Sequence, residues 1–226
     1  AAIAVTNITF SDNCSGSTIS YTLSGATTKT LTAGQVGTYT FNLGITTINY
    51  TVTDGSNNTT TGSKTITVTD ITLPTLTVGA NQAVNTEAGI CSASVEVADA
   101  TFADNCNVTI SYTLSGATTK TLTSGQVGTY TFNKGITTID YTVTDSSNNT
   151  ITDFKTITVT DMELPTISSL PTITQDCSVT ISVAPTSPDN CGTITGVTSD
   201  IILPYTYDIP GFYIIGWNFT DESGNS

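Results

Sequence analysis

Histidine and arginine are absent from the 226 residues, and methionine and tryptophan occur once each. Without histidine the chain cannot build a Ser-His-Asp or Cys-His pair, and zinc loses its commonest nitrogen donor. The five cations are lysines, set against 18 acidic side chains for a net charge of -13 and a pI near 4.1. No basic stripe can neutralise phosphates, so nucleic-acid binding is excluded, and an anionic membrane surface would repel the chain. No apolar run approaches the roughly 20 residues of a membrane span. Charged residues make up only 10%, so hydroxyls and amides carry the polarity, with 52 threonines.

What is abundant is Thr, Val, Ile and Tyr, the residues that fit a pleated, half-buried strand, while good helix formers are scarce. The expected fold class is therefore all-β. Self-comparison at an offset of 91 aligns Tyr21 to Thr32 with Tyr112 to Thr123, and Gly34 to Asn42 with Gly125 to Asn133, without a mismatch. Asp54 then meets Asp145, Asp70 meets Asp161, and Pro74 meets Pro165. A third, diverged copy carries Asp189-Asn190-Cys191, which matches Asp12-Asn13-Cys14 and Asp104-Asn105-Cys106, and Phe219 to Asn225, which matches Val52 to Asn58. A period near 91 is too long for a solenoid turn and suits a small β-sandwich. The expected organisation is tandem sandwich repeats end to end: residues 1–72, cut at their N-terminal side; 73–163, complete; and 164–226, diverged and cut before any counterpart of Thr65 to Asp70. The chain is expected to be a fragment of a longer repeat protein.

Ile19, Tyr21 and Leu23 alternate with polar residues, as do Tyr39 and Phe41, then Ile48, Tyr50 and Val52, then Ile66 and Val68, each run bounded by Gly, Asn, Asp or Ser. Period-two alternation implies one buried and one wet face, and about seven such strands per repeat read as an immunoglobulin-like or fibronectin-III-like sandwich. Trp217, at the position of Tyr50 and Tyr141, is expected in a core.

Five cysteines are present: Cys14, Cys91, Cys106, Cys177 and Cys191. With no CxxC and no histidine, structural disulfides are expected, hence a compartment outside a reducing cytosol. Cys14 is expected to be unpaired because its partner would align just before Ala1. For the others, a straight strand would hold Cys91 and Cys106 about 20 Å apart, beyond the roughly 4.4 to 6.8 Å Cα spacing of a bridge. Either the intervening segment folds back, giving Cys91 to Cys106 and Cys177 to Cys191 within repeats, or Cys91 at the bottom of one repeat reaches Cys191 at the top of the next.

Acidic residues recur where such repeats would meet. Asp70 lies in a linker ahead of Asp104 and Asn105 in one loop and Asp145 in another; the next junction offers Asp161, Glu163, Asp189, Asp221 and Asn225. Calcium takes six to eight oxygen ligands from carboxylates, amides and carbonyls, so these residues are candidate ligands for calcium at the junctions. The plainer reading is that Asp, Asn, Ser and Gly are what turns use, and no EF-hand pattern is present. A glycosidase is not expected, since no carboxylate pair sits in an aromatic-rich signature, and the chain reads as a non-enzyme. Lys29 and Lys120 are expected on the solvated surface. Five Asn-x-Thr triplets, such as Asn7 to Thr9, fit the glycosylation pattern, which chance explains in so Asn- and Thr-rich a chain.

The order of the Pro-terminated linker, Asp-Asn-Cys, Gly-x-Thr-x-Phe and Gly135-Ile-Thr-Thr-Ile-Asp-Tyr-Thr-Val-Thr-Asp145-Ser-Ser-Asn-Asn149 resembles the hyalin-repeat (HYR) family. More narrowly, Tyr21 to Thr28 followed by Gly34 to Asn42 resembles the repeats of flavobacterial gliding-motility adhesins and related giant surface proteins of Bacteroidota. The chain departs from the family at Leu76-Thr77-Val78, where the hyalin pattern has a cysteine, so that family's disulfide plan is not carried over. The resemblance implies an extracellular, cell-surface filament exported by a type IX system, whose partners are further repeats of the same chain and, through parts not present here, the gliding and secretion machinery. On this reading the function is that of stalk repeats of a filamentous adhesin. The alternative is a module in which loops such as Gly25 to Thr28 and Gly116 to Thr119 recognise a polysaccharide or other external surface.

Overall fold

The computed structural model describes residues 1–167, 169–198 and 200–226. It is all-β, with no helix among the described residues, and divides into two compact units, Ala1–Thr72 and Leu73–Ser226. The division lies between Thr72 and Leu73, and residues 164–226 fall in the same unit as 73–163.

In the first unit the strands are β1 (Ala2–Ala4), β2 (Thr18–Gly25), β3 (Lys29–Ala33), β4 (Thr38–Thr40), β5 (Gly44–Thr53) and β6 (Thr59–Val68). They form a sheet ordered β3-β2-β5-β6 and a small β1-β4 pair. Val5, Tyr21, Leu23, Val36, Phe41, Ile48 and Tyr50 close the core.

The second unit begins with β7 (Thr75–Thr77), β8 (Gln82–Asn85), β9 (Ser92–Glu96) and β10 (Thr101–Ala103). It continues with β11 (Val108–Gly116), β12 (Lys120–Ser124), β13 (Thr129–Asn133), β14 (Gly135–Asp145) and β15 (Thr150–Thr160). Its main sheet runs β12-β11-β14-β15-β8, faced by the pairs β9-β13 and β7-β10. Register repeats between units: Tyr21 pairs with Tyr50 as Tyr112 pairs with Tyr141, and Ala2 with Thr40 as Ser94 with Thr131. Alternation explains the faces, since Thr137, Ile139, Tyr141 and Val143 of β14 point inward and are wholly buried while their neighbours stay wetter. Ile157 and Val159 of β15 are buried where Ile66 and Val68 of β6 are only partly so. The difference is β8, which lies parallel to β15 from Gln82 to Asn85 and has no counterpart in residues 1–72.

One polar arrangement recurs in both copies. Lys29 Nζ donates to Tyr21 Oη at 2.9 Å and stands over the Tyr39 ring, and Lys120 does the same with Tyr112 at 2.8 Å and Tyr130. The hydrogen bond to the tyrosine holds each ammonium above the ordinary lysine range. Both lysines are thus partly sheltered instead of freely solvated, a cation laid on aromatic faces. Gly25 and Gly116, at φ 94°, end β2 and β11 where a Cβ would strike the carbonyl oxygens of Ile45 and Ile136.

Residues 164–226 supply β16 (Val179–Ile181), β17 (Thr186–Asp189), β18 (Gly192–Thr195) and β19 (Tyr205–Tyr207), as the pairs β16-β19 and β17-β18. Residues 211–220, aligned with β14, are held at one bridge, Val197 to Asn218. Phe219 is buried, but Trp217 is only half-buried, so the expected core position is only partly realised.

Candidate metal centre

Two short motifs flank the candidate site, and each is a local hydrogen-bonding device before it is anything else. In Asp-Asn-Cys, the aspartate Oδ2 accepts the backbone N–H of the cysteine two residues on: Cys14 to Asp12 at 3.3 Å, Cys106 to Asp104 at 2.8 Å and Cys191 to Asp189 at 3.0 Å. This Asx turn fixes one carboxylate oxygen and leaves the other to point away. In the Asp-x-x-x-Asn loop, Asp145 Oδ1 accepts from Ser147 N and Asn149 N, both at 2.8 Å, and Oδ2 accepts Asn149 Nδ2 at 2.7 Å. Asp54 with Asn58 and Asp221 with Asn225 repeat the cage. The fourth loop position sits at positive φ, as Asn57, Asn148 and Gly224, a conformation that Asn and Gly tolerate.

The cages decide which acidic residues remain available. Burial would raise the Asp221 carboxyl, but the donors of Asn225, Ser223 and Gly224 outweigh it and hold it below the usual carboxylate range. Asp54 is held low by Asn58 in the same way. Asp145 and Asp221, expected as ligands, are therefore filled with N–H donors and serve as loop staples. Glu163 is likewise engaged, its Oε2 accepting Gly89 N at 2.8 Å. Asp70, in the first unit, accepts Thr72 N on Oδ1 at 3.1 Å. Asp104 and Asn105 lie in the second unit, side by side in their Asx turn.

Asp161 and Asp189 are brought together. The Asp161 side chain is wholly buried immediately after β15, at the start of the linker; its Oδ1 accepts Glu163 N at 3.1 Å and Thr86 Oγ1 at 3.4 Å. Oδ2 is buried with no hydrogen-bond donor among the described residues. One oxygen each of Asp161 and Asp189 and the sulfur of Cys191 lie within 4.8 Å of one another. Among the described residues Asp189 Oδ1 and Asn190 Oδ1 are also buried and without donors; the Asn190 amide turns its nitrogen to Thr86 Oγ1 and Ile90 O. Three oxygens thus lack donors in one stretch of the fold, and a buried unsatisfied polar group costs about 1–3 kcal/mol. The nearest cation is Lys134, whose Nζ is 3.9 Å from Asp161 Oδ2 and whose side chain remains 24% exposed. Asn225 completes the surroundings by donating Nδ2 to the Asp161 carbonyl at 3.2 Å.

The donor set fits a hard cation. Calcium bonds oxygen at about 2.3–2.6 Å, so two of its ligands lie up to about 5 Å apart, which matches the spacing here. Zinc is a poor fit, because histidine is absent and Cys191 is oxidised. Sequence reasoning missed Asn190 and Lys134. Asn190 sits inside the Asp-Asn-Cys motif and was legible as an oxygen donor; Lys134 stands where the first copy has Leu43, and repeat comparison alone gives it no role.

Cys191 is bonded to Cys91, with 4.7 Å between Cα atoms and 100 residues between them in sequence. The expectation of Cys91 with Cys106 and Cys177 with Cys191 is therefore corrected in favour of the link between successive repeats. Cys91 directly precedes β9, whereas Cys106 lies in the turn that leads into β11, so no fold-back brings those two together. Cys14 and Cys177 are thiols. The bridge, with the Asn190 and Asn225 hydrogen bonds, is the physical reason that 73–163 and 164–226 form one unit. It also indicates an oxidising environment. Among the described residues no helix is long and apolar enough to cross a membrane. No protein-family model matches the chain, and no curated protein matches it.

Proposed function

We propose that this chain is a stalk segment of an extracellular, cell-surface filamentous adhesin built of HYR-like repeats, with a structural and non-enzymatic role. The observation that carries this reading is the Cys91 to Cys191 bond, which joins one repeat-length segment to the next covalently. Beside the peptide backbone this second covalent tie restricts the joint between the two segments, which suits a stiff spacer more than an isolated binding module. Near-identity of residues 21–42 and 112–133 agrees with reuse of one part as length. Calcium held by Asp161, Asp189 and Asn190 would neutralise charge at the joint and fix its angle. A second reading of that joint rests on Lys134, whose ammonium supplies the counter-charge by itself.

In the loops first suggested for polysaccharide binding, Thr27 and Thr118 face inward, their hydroxyls accepting the backbone N–H of Asn42 and Asn133 at 2.8 Å, which leaves Thr28 and Thr119 as the exposed threonines of each pair. Adsorption to glycan arrays and to bare surfaces tests the spacer reading directly. Little retention by the folded chain is expected, and saturable, sugar-specific binding would overturn it.

A further inference from the structure

Lys134 combines a fixed base with a movable head. It is the single residue between β13 and β14, and its backbone N–H donates to the carbonyl of Cys91 at 3.1 Å, beside the bond from Cys91 to Cys191. From that base the side chain reaches Asp161, with Nζ 3.9 Å from Oδ2 and the side chain 24% exposed. N–H···O hydrogen bonds extend to about 3.2 Å, so charge attraction alone makes this contact. The flexible aliphatic stem of lysine lets the ammonium leave without moving the backbone. Asp161 offers the ammonium one oxygen, because Oδ1 is taken by the Glu163 N–H and the Thr86 hydroxyl. Oδ2 is buried and has no hydrogen-bond donor among the described residues, as is true of Asp189 Oδ1 and Asn190 Oδ1. A cavity of about 100 Å³ lies alongside, with Lys134, Asp189, Cys191 and Glu222 among its walls. Glu222 is exposed, so an ammonium displaced from Asp161 finds a second carboxylate on the same cavity.

We infer that Lys134 is the resident cation of this site and the competitor that a divalent metal ion must displace, so that its ammonium sets the calcium concentration at which the joint is loaded. The inference rests on the calcium reading of Asp161, Asp189 and Asn190. The two occupants exclude each other. A buried carboxylate needs a counter-charge, and once one cation supplies it a second within a few ångströms is repelled, the more strongly where water is excluded. They also differ in what they satisfy. The ammonium brings a single charge to Asp161 Oδ2 and leaves Asp189 Oδ1 and Asn190 Oδ1 without donors, whereas calcium draws several oxygens to about 2.3–2.6 Å at once. Calcium therefore takes the site where it is abundant, and Lys134 keeps the joint neutral where it is scarce. The first copy carries Leu43 at this position, so the repeat accepts an apolar side chain there.

The test is a calorimetric titration of the intact chain with calcium chloride, comparing the unsubstituted chain with Lys134→Leu, Lys134→Gln and Lys134→Arg. Both neutral variants are expected to bind calcium at least tenfold more tightly, and Lys134→Arg to stay close to the unsubstituted chain. Thermal unfolding gives a second readout. In EDTA the neutral variants should melt below the unsubstituted chain, and saturating calcium should close that gap, because the ion then supplies the charge that lysine did. A lysine that mattered only for packing would leave the gap open. Calcium bound with equal affinity by the unsubstituted chain and both neutral variants overturns the inference and leaves the calcium site standing. Tightening by Lys134→Arg to the same degree also overturns it, since bulk and not charge would then be responsible. Absence of calcium binding in the unsubstituted chain and in every variant removes the calcium reading and this inference with it.

Discussion

Cys91 and Cys191 are 100 residues apart in sequence and 4.7 Å apart between Cα atoms, and Asp161 and Asp189 converge beside the bond they form. One junction thus combines a covalent tie with a cluster of donor-poor oxygens. The tie removes conformational freedom from the unfolded chain, and for a loop of 100 residues the chain-entropy account gives about 4.7 kcal/mol. Replacing both cysteines by serine is expected to leave the first unit untouched and to release residues 164–226 from β8 to β15. Hydrogen exchange would show protection lost from Thr186 to Thr195 first. Peptide mapping without reduction is expected to yield a Cys91–Cys191 linked pair, and a Cys91–Cys106 pair would contradict the geometry described above.

Calcium should act on the second unit through Asp161. At 100 times its dissociation constant a ligand specific to the folded state adds about 2.7 kcal/mol, so the melting transition is expected to rise with millimolar calcium and fall with EDTA. Asp161→Asn removes the charge while keeping the shape, and the calcium response should vanish. Equal melting curves with calcium and with EDTA would favour Lys134 as the standing counter-ion.

Lys155 is 1% exposed, on β15 against Gly79, and its Nζ has no hydrogen-bond partner among the described residues. Its counterpart Lys64 donates to Thr6 Oγ1 at 2.7 Å, but Ala98 replaces that threonine in the second copy. Burial therefore pushes the Lys155 ammonium below the ordinary lysine range. Because the folded state binds this proton less tightly than the unfolded state, the penalty is present in full below the folded value. It is relieved as pH rises toward the unfolded value of 10.5. Lys155→Met is expected to stabilise the second unit at neutral pH by about 1–3 kcal/mol, and the gain should shrink in denaturant titrations at high pH. Ala98→Thr, which restores the partner, should recover part of it.

Tyr141 shows the opposite sign. Burial first, then the nearby Asp99 and Tyr112, pushes its hydroxyl up to about 12. The folded state keeps a proton that the unfolded state releases near 10, so this contribution is intact below pH 10 and is lost as pH rises toward 12. Ultraviolet titration of the tyrosines should show a late component near 12 that disappears in Tyr141→Phe.

The strands were readable because alternation is a local property: Ile19, Tyr21 and Leu23 announce β2 without knowledge of what covers them. The cages were half readable. Asp145 and Asn149 stand at a spacing that serves a turn and a metal equally well, and only the direction of the N–H groups separates the two uses. Pairing of Cys91 with Cys191 depends on contacts between successive repeats, which residue spacing within a repeat does not encode. Trp217 matched Tyr141 by alignment, but among the described residues no strand pairs with the second edge of 211–220 as β15 pairs with β14, and the indole is only half-buried.

The parallel run of β8 along β15 has a mechanical consequence. Gln82 to Asn85 begin the repeat's sheet and Ile157 to Thr160 end it, so once the Cys91 to Cys191 bond, which otherwise carries tension past residues 92–190, is reduced, tension through the chain pulls these two neighbours in opposite senses along their common axis. The ladder between them is loaded in shear, with its bonds sharing the force at once, instead of being peeled one at a time from an end. Such a clamp resists stretching in the direction in which a tether is pulled.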